Sequence, residues 1–437
     1  MVLVCPRAAR LGVHPGMALP AARALLPELT IHHADPEQDR ATLERLACWA
    51  GQFTSAVSLA GEGLLLDIAG SLRLFGGLAP LLRQVRRGVR RLGYRLGSTA
   101  VAPTPQGAWL LARAGDGRPV LEVGALSERI GALPVAALDV AGDVRERLAG
   151  VGVRTIGDLL ALPRGGVVKR FGAAVLDQVD RALGSAPDPR PLFVPPDFFS
   201  GRLALPAEVR EVEPVLFGLR RLLTELHGFL AAKGQGVDTV TLHLHHPEGG
   251  GTPVILTRLA LTRDDRHLFG LFRERLGRQK LAKSVDALAL TTGETVPLAA
   301  HSLGLFGGAP PDADGQLLER IRARLGEAAV TGIHGLAEHR PERAWQPCAP
   351  GLRQLPLADG TRPLWLLREP RPLPAAGGLP CRGGPLTLTA GPERIESGWW
   401  DGVDVTRDYY IARHGRGGGY WVFRDRDGAW FLHGVFA

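Results

Sequence analysis

The sequence predicts a multidomain α+β protein. With 437 residues, the chain is longer than one average domain, which holds roughly 100–200 residues. Hydrophobic residues make up 45% and charged residues 22%, proportions that are typical of globular domains and exclude wholesale disorder. Helical and strand-like periodicities alternate along the chain, separated by breaks that are rich in proline and glycine. We therefore expect several compact domains that combine helices with sheets.

The charge balance and the cysteine content narrow the possible functions. The net charge of +8 favours a polyanionic partner, although 48 of the 52 basic residues are arginine, a bias that GC-rich coding also produces. The four cysteines form no CxxC pair, so the sequence predicts neither structural zinc nor a disulfide framework. No apolar run approaches about 18 residues, and the first residues are charged too early for a signal peptide. We therefore expect a cytoplasmic protein without a membrane partner.

The first third of the chain combines buried strands with an amphipathic helix. Gly63–Ala69 (GLLLDIA) is a short apolar run typical of a buried strand, and Ser98–Ala102 predicts another. Between residues 78 and 92, leucine and valine recur at helical spacing. The opposite face of this predicted helix carries Arg83, Arg86, Arg87, Arg90, Arg91 and Arg95. Two interpretations stay open: an ordinary solvated face, or a face that contacts phosphates.

A glycine-containing turn between two short helices is the sharpest local motif. The segment Arg147–Leu162 (RLAGVGVRTIGDLLAL) predicts a helix that ends at Gly150 and a tight turn through Gly152. Thr155 then caps a second helix, and Asp158 completes a capping box. The free amides of such a turn, together with the positive helix end, suit a DNA phosphate without reading sequence. The alternative is an ordinary helical hairpin with glycine at a packing position.

Two further basic residues extend this predicted interface. Lys169 and Arg170 are expected at the start of the following helix, where they add a second phosphate contact. The complete set of predicted DNA contacts is Gly150, Gly152, Arg154, Thr155, Lys169 and Arg170.

After an extended Pro-rich linker, Pro187–Pro196, the pattern changes to β-α-β-β-α-β. The predicted elements are a strand from Arg202, a helix at Pro214–Ala232, strands at Asp238–His245 and Pro253–Leu261, a helix at Arg266–Leu276 and a strand at Ala287–Thr291. This order predicts a small ferredoxin-like domain. His243 and His245 share one face of a strand, but without nearby Cys or paired carboxylates we interpret them as surface residues rather than metal ligands.

Aromatic residues are concentrated at the end of the chain, with six of eight Trp and three of four Tyr after residue 340. Tyr420–Phe423 and Trp430–His433 flank a turn at Asp427–Gly428, a pattern that predicts a β-hairpin. The aromatic residues form either the core of a small β domain or an exposed surface. An exposed surface would dock a protein partner or stack the bases of single-stranded DNA.

Several segments, taken in order, resemble the Y-family translesion DNA polymerases. Gly12–Pro27 resembles their fingers, Leu64–Gly70 a strand of their palm, and Ser98–Ala112 the strand and helix that follow. Thr155–Leu159 is similar to part of their thumb, and the β-α-β-β-α-β domain lies where they have the little finger. The resemblance covers roughly residues 1–300. It implies a chain that binds DNA independently of sequence.

Within that family, the chain is most similar to the ImuB group. Phe75–Gly77 (FGG), His339–Trp345 (HRPERAW) and the aromatic tail carry this resemblance. It implies a non-catalytic protein of translesion synthesis and SOS-type, damage-induced mutagenesis. The implied partners are DNA, a sliding clamp, a RecA-like accessory protein and an error-prone C-family polymerase.

The resemblance also implies that the polymerase site is degenerate. If Asp67 matches the palm aspartate, Glu62 and Gly63 replace the Asp-Glu pair that two-metal catalysis requires. Pro6 and Ala9 replace the Tyr and Arg that hold the triphosphate, and the sequence starts after the strand with the first carboxylate. We therefore expect no catalytic residues, no metal and no cofactor, with Asp67 as a structural residue. The alternative is an active, error-prone Y-family polymerase that uses Mg²⁺.

A short segment after the little-finger-like domain resembles sliding-clamp-binding peptides of the form Gln-Leu-x-Leu-Phe. The candidate contacts are Ser302, Leu303, Leu305 and Phe306, with Ser302 in place of the Gln. Such peptides place aliphatic and aromatic anchors in a preformed pocket. The alternative is the end of a strand whose apolar residues pack within their own domain. A rival peptide, Gln354–Leu357 (QLPL), has the Gln but lacks the aromatic residue.

These features predict five regions. They are a partial palm and fingers (1–118), a helix-hairpin-helix thumb-like domain (119–190), a little-finger-like domain (197–299), a clamp-peptide tether with a helix and Pro-rich linker (300–385), and an aromatic-rich, partner-binding C-terminal module (386–437).

Overall fold

A computed structural model describes residues 4–14, 16–31, 33–257, 259–277, 281–298, 313–350 and 361–436. The chain divides into two compact units, Met1–Gln316 and Leu317–Ala437, and both helices and sheets are present. The predicted multidomain, mixed helical and sheet class is therefore confirmed. Within the described ranges, no helix has both the length and the apolar character needed to cross a membrane. All four cysteines are free.

The α-helices of the described residues are α1 (Pro6–Arg10), α2 (Leu19–Leu25), α3 (Pro36–Ala50), α4 (Leu78–Arg91), α5 (Pro105–Arg113), α6 (Val123–Gly131), α7 (Gly142–Gly150), α8 (Ile156–Leu160), α9 (Arg164–Phe171), α10 (Ala173–Leu183), α11 (Val212–Lys233), α12 (Asp265–Leu276) and α13 (Ala313–Leu325). The strands are β1 (Val57–Ala60), β2 (Gly63–Leu66), β3 (Ser200–Val209), β4 (Gln235–Gly236), β5 (Val240–His245), β6 (Gly251–Leu256), β7 (Val285–Thr292), β8 (Val296–Pro297), β9 (Gly332–Gly335), β10 (Trp345–Cys348), β11 (Trp365–Leu373), β12 (Ala375–Ala376), β13 (Leu379–Pro380), β14 (Leu386–Ser397), β15 (Val405–His414), β16 (Gly419–Asp425) and β17 (Trp430–Phe436).

The first strands form a small antiparallel hairpin, β1–β2, in which Val57 pairs with Leu66 and Ala60 with Gly63. The predicted strand at Ser98–Ala102 is wrong. Val101 accepts one backbone hydrogen bond from Val120, at 2.9 Å, but this segment joins no sheet ladder. The helix predicted from leucine and valine spacing is present as α4, and its apolar face packs towards the core.

Trp49 of α3 joins three helices at one point. Its side chain is 4% exposed and lies against Gly88 of α4 and Gly228 of α11. A Cβ on Gly228 would lie 2.5 Å from Trp49 Cδ1, and a Cβ on Gly88 would overlap the six-membered ring. Only residues without a side chain permit this close approach, because protein interiors have no spare volume. The β1–β2 region and the sheet domain that contains α11 are therefore packed together.

The helices from α5 to α10 share a separate apolar core. Leu110 and Leu111 of α5 pack there with residues from the helices that follow, so α5 belongs to this helical core. Its other buried members include Leu126, Ile130, Leu148, Ile156, Leu159, Val175 and Val179. Thr104 caps α5 and also donates a hydrogen bond to the carbonyl of Ala182 at 2.6 Å, which ties α5 to the end of α10.

The domain predicted from the β-α-β-β-α-β pattern contains β3, α11, β5, β6, α12 and β7 in that order. Its sheet has the order β3-β7-β5-β6 with all neighbours antiparallel. The ferredoxin-like prediction is wrong in this respect, because that fold has the first and third strands of the motif at its centre. Here the second and fourth are central. Burial explains the difference: β5 and β7 bury apolar side chains along their length, whereas β3 and β6 are mostly exposed.

The C-terminal unit is built on a five-stranded antiparallel sheet of order β11-β17-β16-β15-β14. The predicted hairpin is confirmed as β16–β17, with Gly428 at φ +85° in its turn. Both faces of the sheet are apolar. Val422, Trp430 and Leu432 belong to one buried cluster, and Tyr409 and Trp421 belong to the other.

We expect Gly88→Ala to lower the free energy of unfolding by about 1–3 kcal/mol, because overpacking against Trp49 outweighs the gain of about 1 kcal/mol in helix propensity. Gly270→Ala is the matched control, since Gly270 lies inside α12 with open space where a Cβ would stand. That control should gain about 0.5–1 kcal/mol. Chemical denaturation measures both, and an undiminished stability of Gly88→Ala would mean that Trp49 does not fix α4.

Candidate nucleic-acid interface and polymerase-like positions

The helical hairpin predicted around Gly152 is present. Helix α7 ends at Gly150, Gly152 has φ +82° in the turn, and α8 begins at Ile156. The side chain of Thr155 accepts a hydrogen bond from the Asp158 amide at 3.1 Å, and the Asp158 carboxylate accepts one from the Thr155 amide at 2.9 Å. The predicted capping box is therefore confirmed, and it fixes the exit angle of the hairpin.

The backbone amides of this turn are not free, contrary to the sequence expectation. Those of residues 151–153 donate to carbonyls in the last turn of α7, at 3.0–3.3 Å. The amides of Arg154 and Thr155 donate to Asp158 Oδ2, and that of Ile156 donates to the carbonyl of Leu133. The carboxylate of Asp158 thus occupies the place where a phosphate oxygen would bind. Phosphate contacts at this hairpin must come from side chains.

Asp158 also sets the charge at the start of α8. Hydrogen bonds from the backbone amides of Thr155 and Arg154 hold the pKa of Asp158 below its ordinary value, so the carboxylate is ionised at neutral pH. A negative charge at this point stabilises the helix terminus and opposes a second anion. The exposed Arg154 lies beside it and forms no ion pair in the described part of the chain.

Lys169 and Arg170 lie in the last turn of α9, not at the start of a helix as predicted. Both side chains are exposed, and the helix macrodipole favours cations at this end. Arg147, which the sequence analysis missed as a contact, donates from Nη1 to the carbonyl of Arg170 at 3.0 Å. Its Nη2 donates to Asp143 on its own helix, at 3.0 Å. Arg147 therefore holds the end of α9 beside the hairpin. In the sequence, the four-residue spacing of Asp143 and Arg147 was the only indication of a structural role for Arg147.

The polymerase-like carboxylates do not form a metal site. Glu62 is exposed at the turn of the β1–β2 hairpin, while Asp67 follows the far end of β2. At about 3.3 Å per residue, the strand separates them by more than about 10 Å, whereas two catalytic metals need carboxylates around a spacing of about 3.5–4 Å. A Cβ on Gly63 would lie 3.1 Å from Trp109 Cζ3, so the indole packs closely against the position that lacks the carboxylate. These residues do not fit a pair of Mg²⁺ ions.

The remaining matched positions are structural or exposed. Asp67 Oδ1 accepts a hydrogen bond from the Ala69 amide at 3.1 Å, which stabilises the turn after β2. Pro6 begins α1, and Ala9 is exposed on it. His243 and His245 lie on the half-buried face of β5, and burial lowers the pKa of His245. Among the described residues, no three His, Cys, Asp or Glu side chains are grouped closely enough to hold a metal.

The aromatic residues of the C-terminal unit divide into a core and an exposed pair. Tyr409 and Trp421 stack with ring centroids 4.1 Å apart, and both are buried. Trp399 and Trp400, in the connection between β14 and β15, are 80% and 58% exposed and contact each other edge to face. The core interpretation therefore holds for the sheet residues, while the tryptophan pair remains available as a surface.

A buried arginine anchors the loop that carries this pair. Arg340 is 2% exposed and donates to both carboxylate oxygens of Asp401, at 3.0 and 2.7 Å. It also donates to Glu338 at 2.8 Å and to the carbonyl of Val403 at 3.0 Å. Hydrogen bonds from Arg340 lower the pKa values of Glu338 and Asp401 to about 2 each. The network is therefore ionised at neutral pH. Because Asp401 follows Trp400 directly, the ion pair with Arg340 also holds Trp400 in position.

The predicted clamp contacts Ser302, Leu303, Leu305 and Phe306 lie outside the described residues, as does the rival Gln354–Leu357.

Comparisons with known proteins give two kinds of similarity. A model of the impB/mucB/samB family matches residues 1–113. The chain is 31% identical over 459 residues to Protein ImuB of Caulobacter vibrioides, strains NA1000 / CB15N and ATCC 19089 / CIP 103742 / CB 15, covering 98% of this chain and 100% of each relative. Among solved structures, the insertion ternary complex of Dbh DNA polymerase overlaps 67% of this chain and 86% of its own, with 17% identity and a TM-score of 0.35. DinB from Sulfolobus solfataricus gives the same coverage and TM-score at 16% identity.

We expect the double variant Lys169→Ala/Arg170→Ala to bind DNA with a weaker salt dependence. Each lost phosphate contact should reduce the slope of log affinity against log salt by about 0.9, so two contacts reduce it by up to about 1.8. Arg164→Ala is the control on the same helix, because Arg164 is paired with Asp180 at 3.1 Å and should not change the slope. Fluorescence titration over a salt series measures this. An unchanged slope in the double variant would remove the pair from the interface.

Proposed function

The chain belongs to the ImuB family of polymerase-like proteins, and on this premise we propose that it is a non-catalytic, DNA-binding adaptor in translesion synthesis and damage-induced mutagenesis. In this role it links the sliding clamp with an error-prone C-family polymerase, together with a RecA-like accessory protein. The observation that carries the non-catalytic part is Gly63 itself, which has no carboxylate at the position matched to the second metal ligand and whose backbone packs closely against Trp109.

The DNA-binding part is supported by the rigid helical hairpin and its basic side chains. Arg154, Lys169 and Arg170 are exposed, and Arg147 holds the last two beside the turn. Because the turn amides are occupied, binding depends on charged side chains that contact phosphates. Such contacts position a protein on DNA without reading its sequence. An adaptor needs this property, since lesions arise in any sequence.

The partner-binding part is supported by the exposed Trp399–Trp400 pair. Large aromatic side chains at a fixed position are typical anchors of protein interfaces. The Arg340 network holds their loop, so little conformational freedom is lost when a partner binds. We assign this surface to a protein partner of the mutagenesis assembly, and the segment that contains Phe306 to the sliding clamp.

The assembly is tested by a pull-down with purified sliding clamp and error-prone polymerase, using the full chain as bait. Retention of both proteins supports the adaptor role, and retention of neither overturns it. Primer extension on the same preparation tests the rival function. Template-dependent incorporation by the purified chain would establish an active polymerase and contradict the non-catalytic assignment.

We expect Glu62→Ala to leave DNA affinity and damage-induced mutagenesis near the wild-type level, because Gly63 replaces the neighbouring carboxylate that would hold a metal together with Glu62. Asp67→Ala is the comparison. It removes the hydrogen bond to the Ala69 amide and should lower the melting temperature by a few degrees, as expected for a loss of about 1 kcal/mol. Mutagenesis assays and thermal melts separate the two effects. Loss of mutagenesis in a folded, DNA-bound Glu62→Ala protein would point to a metal-dependent role.

For the clamp peptide, we expect Phe306→Ala and Leu303→Ala each to weaken clamp affinity by about thirtyfold, the equivalent of about 2 kcal/mol. Ser302→Gln should tighten binding, because a longer amide reaches polar groups that Ser does not. Clamp titrations and thermal melts are made on the same variants, with Gln354→Ala as the test of the rival peptide. A Phe306→Ala protein that loses stability but keeps its clamp affinity would identify Phe306 as a core residue instead.

A further inference from the structure

The segment between Asp67 and Asp116 contains a concentration of charge that the helical hairpin does not explain. Its 48 residues, 68–115, include eight Arg and no Asp or Glu. At the chain's average of 44 acidic residues in 437, about five would be expected there. The excess in this one segment equals the net charge of +8 of the whole chain. GC-rich coding accounts for arginine in place of lysine, but it does not remove acidic residues.

Most of this charge lies on one exposed surface of α4, which we call the arginine face. It consists of Arg83, Arg86, Arg87, Arg90 and Arg91. All five side chains are exposed, and none forms an ion pair or a side-chain hydrogen bond within the described residues. Arginines elsewhere in the same unit are often paired, as Arg129 is with Asp116 and Arg164 with Asp180. The arginine face therefore carries charge that the protein itself does not neutralise.

The arrangement does not serve the stability of α4. Arg83 and Arg87, Arg86 and Arg90, and Arg87 and Arg91 are each four residues apart, and like charges at this spacing weaken a helix. The opposite side of α4 is fixed by buried Leu81 and Val89 and by the contact of Gly88 with Trp49. The helix therefore cannot turn to spread the charge, and the whole face is held towards solvent.

The exposed residues of α4 identify the kind of polyanion. On α4 itself, only Ala79 and Gln84 are exposed besides the five arginines. Arg90 and Arg91 also border an apolar cleft that includes Phe217 and Phe269, whereas Arg83, Arg86 and Arg87 do not line it. A protein interface needs an apolar centre, and single-stranded DNA is bound by stacking its bases on aromatic rings. The phosphates of double-stranded DNA require charge alone. Charge complementarity without apolar anchors therefore favours duplex DNA.

We propose that the arginine face of α4 is a second DNA contact, which binds the phosphates of double-stranded DNA separately from the helical hairpin. This inference rests on the proposed DNA-binding function. At about 1.5 Å per residue, Arg83 to Arg91 span about 12 Å, the length of three to four phosphates of one strand at about 3.4 Å each. A chain with two phosphate-binding surfaces holds a duplex in a defined direction, which one hairpin alone does not do.

The test compares three variants of the full chain. Arg83→Ala/Arg87→Ala/Arg90→Ala removes three charges from the face, and the matching triple substitution to Lys keeps them. The control removes the same charge from three other exposed arginines without a pairing partner in the described residues: Arg23→Ala/Arg210→Ala/Arg368→Ala. Each is titrated with a duplex of random sequence over a salt series. Thermal melts establish that each variant is folded.

The Ala variant should lose at least about tenfold in affinity at 0.1 M salt, and its salt slope should fall by up to about 2.7. The Lys variant should keep the slope, and the control should stay near wild type. An Ala variant that binds the duplex like wild type overturns the proposal. If only the Ala variant fails to be retained on immobilised poly-glutamate, the face is reassigned to an acidic protein partner. If the wild-type chain fails to bind DNA at all, the proposed function fails instead, so the two failures are distinct.

Discussion

The contact of Trp49 with Gly88 and Gly228 is the constraint on which the first unit depends. One indole ring lies where three helices meet, and two of those helices approach it through residues without side chains. This contact sets the position of α4 against α3, and of α11 against both. The direction of the arginine face, and the attachment of the β3-β7-β5-β6 sheet to the first hairpin, both follow from it. A packing position far from any charged surface thus determines where the charge is presented.

In the helical hairpin, hydrogen bonds within the motif occupy the backbone amides, so these amides are not free to bind a ligand. The capping box that makes the turn recognisable also consumes two of its amides, and the ionised Asp158 replaces an external anion. The motif therefore supplies geometry, and in the proposed DNA-binding role the affinity comes from the surrounding arginine and lysine side chains. Strand β2 is a second example, because Trp109 packs against Gly63, a position that has no side chain with which to bind a ligand.

The accuracy of the sequence predictions follows the range of the interactions. Helix α4, the capping box at Thr155 and the strand order along the chain were predictable, because periodicity, capping and turn residues act over a few neighbours. The meeting of Trp49 with Gly88 was not, since the two are distant in sequence and glycine gives no apolar signal. The strand at Ser98–Ala102 failed because a strand needs a partner, which its own residues do not specify. The sheet order was missed because it depends on the relative burial of four strands. Of the occupied amides, those of residues 151–155 have acceptors close by in the sequence, whereas the amide of Ile156 donates to Leu133, which the fold brings near.

The buried Arg340 network has a consequence for the behaviour of the chain in concentrated salt. The Arg340 guanidinium at its centre is buried, and mobile ions screen an ion pair with a buried member less than they screen pairs that are wholly exposed. The side chains of the arginine face and of the hairpin are exposed, so in the proposed role their contacts with DNA phosphates weaken steeply as the salt concentration rises. Ionic strength therefore acts on the two units unequally. If the chain binds DNA as proposed, a rise in salt releases the nucleic acid while the Arg340 network keeps the tryptophan pair in place.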